Sequence, residues 1–480
     1  MIEKEEVKIN FTRTIKIPVY YETTKSKLNK LDKITAKLTY CTRLFSNIIK
    51  ETKLLNRIEL VKYENEIKIR TKLNSAYIQQ CKDKAIWMWK SYNKQHKKWQ
   101  YKLNKANNQK YYNKLLKREP SKPFEKSFNG KHNTKPFSKS NNKIPVRLDY
   151  RTISLKSNLK LKGNLASNLK NNKLSDLWIN LTSLKKHDKI MIPLNPADYH
   201  LNKLKQANKI SDCELIKKNN KWFIYVTCQY QISSQPIEKI RAIDLGISRS
   251  ITTVLLEPGK NLNNNSFLVI KEGKKKQKLE YYDKLIAKLQ EQEKWKVLKR
   301  TRQKRKNYIE DQERKIAEEI TNISYNSILG IGYTKEIKYK NYKGNGNKQL
   351  RKKLHRWTYN RIINYIFQSC EEKGIKTIRL NEAYTSKTCS KCLSRNTERP
   401  YQNNWSLLKC NNCSYKQNAD INATINQSRL IMRQVTILEK GLTENIKPPT
   451  KSSFNQLASD EHALTRNDNL QKGLSLETPN

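Results

Sequence analysis

Acidic residues and long apolar runs are what this chain has too little of. Only 43 Asp and Glu stand against 98 Lys and Arg in 480 residues, a formal charge of +55. Self-repulsion of that size calls for a polyanionic partner, which excludes an ordinary enzyme surface and points to nucleic acid. A bias toward AT-rich codons raises Lys, Asn, Ile and Tyr together. Such codons also encode Asp and Glu, so the bias accounts for the lysines better than for the imbalance. No run of about 18 apolar residues is present, so no spanning helix is expected. Met1 to Val7 is mixed in charge and lacks the apolar core of a secretory signal. A disulfide framework is missing too. Of nine Cys, five (Cys41, Cys81, Cys213, Cys228, Cys370) are scattered, and four cluster at Cys389, Cys392, Cys410 and Cys413. That pattern fits a reduced, intracellular compartment and a metal site. No long internal repeat is visible, and at about 150 residues per domain the length suggests three structural units.

What is there reads as alternating elements. A strand, Thr14 to Tyr21, precedes a helix striped by Leu31, Ile34, Leu38, Cys41, Phe45 and Ile48. A second helical stretch, Ala76 to Leu103, carries Trp87, Trp89, Tyr92, Trp99 and Tyr101 among many Lys, mainly for helix packing, with base stacking as the lesser reading. Residues 118–143 hold Pro120, Pro123 and Pro136 and read as a loop or linker. From Ile144 to Ile232 the pattern changes to short strands, the last two flanking a tight turn at Asn219-Asn220, as in a small Lys-decorated barrel or curled sheet. Further on, IRAID (Ile240 to Asp244) and Ile251 to Leu256 are strands, and Lys274 to Ile323 predicts two long helices. Between these helices lies a basic run of Lys294, Lys296, Lys299, Arg300, Arg302, Lys304, Arg305 and Lys306, read as a phosphate-backbone contact rather than a merely solvated face. SILGI (Ser327 to Ile331), a helix over Lys348 to Lys373 with Leu354 and Trp357 on its apolar face, and the strand Ile375 to Leu380 complete an α/β alternation with a mixed sheet. The chain past about Lys440 is polar and unpatterned, which predicts a disordered tail.

Chemistry concentrates in two places. Cys389-x2-Cys392 and Cys410-x2-Cys413, seventeen residues apart, have the spacing with which four thiolates converge on structural Zn2+. Four protein ligands leave no open position for a catalytic water. Asp244 ends an apolar strand, and Asp420 begins a helix expected to run to about Met432. Alone, the second is more often a helix cap. Together, in so basic a chain, they suggest carboxylate ligands for two Mg2+ ions on a scissile phosphate.

Four blocks, in this order, carry a family resemblance: AIDLGIS (Ala242 to Ser248), YTSKTCSKC (Tyr384 to Cys392), LKCNNCSY (Leu408 to Tyr415) and NADINAT (Asn418 to Thr424). They resemble the TnpB/OrfB proteins of insertion sequences, relatives of the miniature type V CRISPR effectors, over about Ile237 to Arg433. The resemblance implies an α/β, RNase H-like (RuvC) nuclease interrupted by a zinc ribbon. A small wedge-type β-barrel with a helical recognition part (about 26–118) precedes it. It also implies guide RNA and target DNA as partners, with Asp244 and Asp420 at the first and third catalytic acids. The expected domains are 1–236 for the wedge and recognition part, 237–384 for the first part of the nuclease, 385–416 for the ribbon, 417–436 for the last nuclease motif, and 437–480 for the tail.

The chain departs from the family pattern at the second acid. Where relatives have Glu-Asp-Leu after the strand, this sequence has Gly332-Tyr333. Glu382, just past the strand IKTIRL, is the favoured replacement because those two strands are neighbours in an RNase H sheet, and Glu336 is the alternative. Without any replacement the protein is a cleavage-deficient RNA-guided binder. A strand-transfer transposase is disfavoured because no tyrosine nucleophile stands beside a His-x-His pair, so transposition needs a separate partner protein. A homodimer remains open, since small type V relatives include dimers.

Overall fold

A computed structural model describes residues 7–124, 144–169, 174–184, 188–246, 250–257, 259, 262, 266–271, 273–333, 358–400 and 407–439. The chain divides into two compact units, residues 10–231 and residues 1–9 with 232–480.

The first unit opens with β1 (Lys8–Pro18), followed by α1 (Lys25–Thr52), α2 (Glu64–Thr71), α3 (Ser75–Asn104) and α4 (Gln109–Leu116). Helix α1 buries Leu31, Ile34, Leu38, Cys41, Phe45 and Ile49. The stripe ends on Ile49 rather than Ile48 because 45 to 49 is a full turn. Trp89 is buried on α3 and donates its indole N–H to Ser46 Oγ at 2.9 Å, whereas Trp87 and Tyr101 are exposed. Eight strands belong to two four-stranded sheets, ordered β1-β8-β7-β2 and β4-β3-β5-β6. Besides β1 they are β2 (Arg147–Leu148), β3 (Ile153–Ser157), β4 (Ala166–Asn168), β5 (Leu177–Thr182), β6 (Lys189–Pro193), β7 (Lys209–Lys218) and β8 (Lys221–Ser233), with α5 (Asp198–Gln206) before β7. Two backbone contacts tie the sheets together. Val19 bridges Leu194, and the Ile210 N–H donates to the Lys162 carbonyl at 3.0 Å. At the β7–β8 turn Asn219 and Asn220 both have left-handed backbones, φ 50° and 59°, as a two-residue hairpin of this twist requires.

The second unit is a five-stranded sheet ordered β11-β10-β9-β12-β13. It runs β9 (Lys239–Leu245), β10 (Ser250–Leu256), β11 (Phe267–Lys271), α6 (Gly273–Glu291), α7 (Trp295–Ile323), β12 (Ser327–Tyr333), α8 (Tyr359–Glu371) and β13 (Thr377–Asn381). A small sheet follows, β14 (Thr397–Glu398), β15 (Leu407–Cys410) and β16 (Lys416–Asn418), and then α9 (Ala419–Glu439). The expected helix over Lys348 to Lys373 is described only from Tyr359 onward, so Leu354 and Trp357 lie outside the described residues, as do 440–480. The last helix extends to Glu439, beyond the expected boundary at 436.

Strands β9, β10 and β11 pair antiparallel, whereas β12 lies parallel to β9 and β13. Side chains alternate across such a sheet. Ile243, Leu245, Leu329 and Ile331 pack with Ile320, Ile362 and Ile366 of α7 and α8. Ala242, Ile328 and Leu380 pack with Ile425 and Ile431 of α9. The same alternation puts Asp244, Gly330 and Gly332 on the α9 face. A Cβ on Gly330 would lie 2.6 Å from Ile431 Cγ1, so glycine there is what lets α9 come this close to the sheet.

Candidate metal-ion and nuclease site

Asp244 is the next-to-last residue of β9, and the parallel register (Ile331↔Ile243, Gly332↔Leu380) sets Gly332 beside it and Glu382 just beyond the end of β13. The glutamate reaches back across that strand. A Cβ built on Gly332 would run into Glu382 Oε1 and lie 2.6 Å from both Glu382 Cγ and Gln427 Nε2. Glu382 therefore occupies the room that a side chain at 332 would need. The buried Tyr359 hydroxyl fixes it there, donating to the Gly332 carbonyl at 2.7 Å and lying 3.1 Å from Glu382 Oε1. From α9, the Gln427 carboxamide donates to Asp244 Oδ1 at 3.4 Å.

Asp420 stands in the first turn of α9. The capping task falls to Asn418, whose Oδ1 accepts the N–H groups of Asp420 at 2.9 Å and Ile421 at 3.3 Å, so the Asp420 carboxylate is not the cap. Burial, then the Glu382 and Asp420 charges, push the Asp244 carboxyl up from 3.8 to about 7, with Gln427 pulling weakly the other way. A carboxylate raised by burial and by two acidic neighbours suits a divalent cation, which would offset the repulsion with oxygen ligands. They are spread more widely than the thiols, since among the described residues only the four cysteines bring ligand atoms within 4.8 Å of one another. Glu336 lies outside the described residues.

Sequence reasoning did not find Tyr359, Gln427 or Arg399. Burial lowers the Arg399 guanidinium from its ordinary value, against the opposing charge of Asp420. Nothing in the local sequence marks these residues, because each comes from a separate element.

The cysteines form two matched knuckles. The Cys389 N–H donates to the Ser394 carbonyl at 2.8 Å and the Cys410 N–H to the Tyr415 carbonyl at 2.9 Å. The residue after each second cysteine, Leu393 and Ser414, has a left-handed backbone. Sulfur atoms lie 3.7 Å apart for Cys389 and Cys413 and 3.5 Å for Cys392 and Cys410. Tetrahedral ligands at about 2.3 Å from an ion sit about 3.8 Å apart, so the four thiols can hold a metal. Burial works upward on Cys410, but the N–H groups of Cys413 and Asn412 and the thiols of Cys392 and Cys413 together bring it down to about 7, which favours the thiolate.

The basic run does not connect two helices, as the sequence suggested. It is the opening half of α7 itself, Lys294 being the residue before the first turn. Helical spacing splits its roles. Arg305 points inward to Asp283 of α6 at 3.1 Å, while the other seven are exposed. Arg302 and Lys306 line two adjoining clefts of about 420 and 440 Å³, one reaching Arg361 and the other the exposed Trp295. Among the described residues no helix is long and apolar enough to cross a membrane.

Residues 359–427 match the family model described as Cas12f1-like, TNB domain. Over 94 residues the chain is 34% identical to the CRISPR-associated endodeoxyribonuclease Cas12f1 of Sulfoacidibacillus thermotolerans, and over 76 residues 37% identical to that of an uncultured archaeon. These matches span 20% and 15% of this chain, and only 20% and 14% of the two relatives. The TnpB-like protein aq_aa05 of Aquifex aeolicus (strain VF5) is 25% identical over 247 residues, 46% of this chain and 78% of that protein. Among solved structures, the chain is similar to that of a Cas12f1-sgRNA-target DNA complex, at 17% identity and TM-score 0.31 over 87% of this chain and 99% of that one. Over these stretches the chain is thus similar to Cas12f1 and TnpB-like proteins, in keeping with its motifs.

Proposed function

We propose that the protein is an RNA-guided, Mg2+-dependent DNA endonuclease of the TnpB kind, with an RNase H-like site built from Asp244, Glu382 and Asp420. One observation carries the reading: Glu382, from the strand next door, fills the space over Gly332 beside Asp244. The strand order, three antiparallel and two parallel, supports the RNase H-like assignment. Asp244, Glu382 and Asp420 would hold Mg2+, which when bound would supply charge to a scissile phosphate and lower the pKa of a water. Tyr359 and Gln427 keep two of the carboxylates in place, and the Arg399 charge acts on the third. Cys389, Cys392, Cys410 and Cys413 hold Zn2+, a closed four-thiolate site whose task is structural.

Guide RNA and target DNA are the polyanions that the +55 charge calls for. The exposed part of the basic run, Lys294, Lys296, Lys299, Arg300, Arg302, Lys304 and Lys306, contacts their backbone. Plasmid cleavage with protein co-expressed with its native flanking DNA tests the whole reading. Cutting that needs Mg2+ and is lost in Asp244→Ala and Glu382→Ala supports it. RNA-dependent DNA binding without any cutting replaces it with a guided binder.

A further inference from the structure

Two carboxamides on α9 grip the loop that leads from Glu382 into the first cysteine knuckle. Asn422 and Asn426 lie one turn apart on one helix face and are 0% and 7% exposed. Asn426 Nδ2 donates to the Thr385 carbonyl at 2.9 Å and the Thr388 carbonyl at 2.7 Å. Asn422 Nδ2 donates to the same two, at 3.4 and 2.7 Å, and its Oδ1 accepts the Ser390 N–H at 2.8 Å. The gripped loop is tied at both ends. Thr385 donates its N–H and its hydroxyl to the Glu382 carbonyl at 3.3 and 3.1 Å. Ser390 sits between Cys389 and Cys392.

The helix side of the grip is tied as well. Asp420 is two residues before Asn422, and Gln427, the donor to Asp244, follows Asn426. Elsewhere this helix packs with Ile425 and Ile431, so aliphatic side chains would suit its buried face. At 422 and 426 they would strip donors from two carbonyls in a dry place, which explains amides there.

We propose that Asn422 and Asn426 are positioning residues that couple the thiol metal site to the carboxylate site. The ordered knuckle sets where Glu382 and Asp420 stand, and through them the affinity for the divalent cation. Coupling of this kind is reciprocal. The proposal rests on the carboxylate reading above.

The test uses the full chain purified with its RNA, with Mn2+ as the probe and its binding followed by electron paramagnetic resonance, beside the zinc content of each variant. The double variant Asn422→Ala/Asn426→Ala is expected to keep its zinc and lose about tenfold in Mn2+ affinity. Cys392→Ser is expected to lose a similar factor, and the triple variant little more, because both act through one link. If the double variant fails to fold, Asn426→Asp alone, which sets a carboxylate oxygen against two carbonyls, gives the same readout. Unchanged Mn2+ affinity with a lowered melting temperature marks a merely structural role and overturns the proposal, as do additive losses in the triple variant. Asp244→Ala separates the two readings. Mn2+ binding that ignores Asp244 overturns the carboxylate site and the positioning with it. Binding that needs Asp244 but ignores both asparagines overturns the positioning alone.

Discussion

Moving the glutamate from one strand to the next is the perturbation with most to say about this site. Glu382→Ala removes one of three carboxylates, and a complete cluster is worth several kcal/mol at the transition state, so cutting falls by about 10²–10³-fold. Gly332→Glu in the otherwise unchanged chain cannot restore or improve it. Its Cβ alone meets Glu382 and lies 2.6 Å from Gln427 Nε2. Overpacking of that kind costs about 1–3 kcal/mol. The added charge also enters a site where Asp244 has already moved from 3.8 to about 7, equivalent to about 4 kcal/mol against its ionised form. The single variant therefore melts lower and cuts less. In Gly332→Glu/Glu382→Ala the room is vacated and a carboxylate returns to nearly the same place, so cutting recovers at least about tenfold over Glu382→Ala, since even a partly rebuilt cluster regains about 1.4 kcal/mol. Single-turnover plasmid cleavage with guide RNA and Mg2+ measures all three. A double variant that cuts no better than Glu382→Ala, together with a Gly332→Ala variant that cuts like the wild type, refutes the reasoning.

Further expectations concern pH, metal, charge and the core. Because the folded Asp244 carboxyl titrates near 7 and the unfolded one near 3.8, the fold binds the extra proton between these values. Without added Mg2+ the melting temperature should then fall as pH rises from about 4 to about 7 and level off above, and Asp244→Asn should flatten the profile; a profile unaltered by that change sinks the assignment. Cys410→Ser should abolish binding of one zinc per chain, measured by elemental analysis, and speed amide exchange over 389–415. Arg302→Ala/Lys306→Ala should weaken RNA or DNA binding and lower the salt slope of log K by about two, and an unchanged slope argues for a solvated face. Glu313 is fully buried, takes Arg361 Nε at 2.5 Å and accepts the Thr358 hydroxyl, so Arg361→Ala should destabilise the chain by about 3–5 kcal/mol, read from denaturant unfolding.

Part of this protein is legible in its sequence, for local reasons. Charge is a sum over residues, and the knuckles are written in contiguous spacing, so the +55 balance and the Cys389, Cys392, Cys410 and Cys413 set needed no fold. An apolar strand with Asp244 near its end and a turn at Asn219-Asn220 are also short-range signals. The basic run was visible as composition, but its placement was not. A helix of Lys and Arg has no apolar stripe dense enough to mark its start, so a linker and a first turn look alike until Arg305 is seen on Asp283.

What only the tertiary structure decided is which groups meet. Glu382 stands over Gly332 because β12 and β13, fifty residues apart, pair in parallel with Gly332 opposite Leu380. A register slip of one residue would turn that strand's side chains to the opposite faces of the sheet. Tyr359, Gln427, Asn422 and Asn426 gain their partners in the same way, from a helix on one face of the sheet and a helix on the other. Hydrogen bonds between distant segments leave no periodicity in either one. The sequence therefore fixes the kinds of ligand this protein carries, and the pairing of its strands fixes which of them share a site.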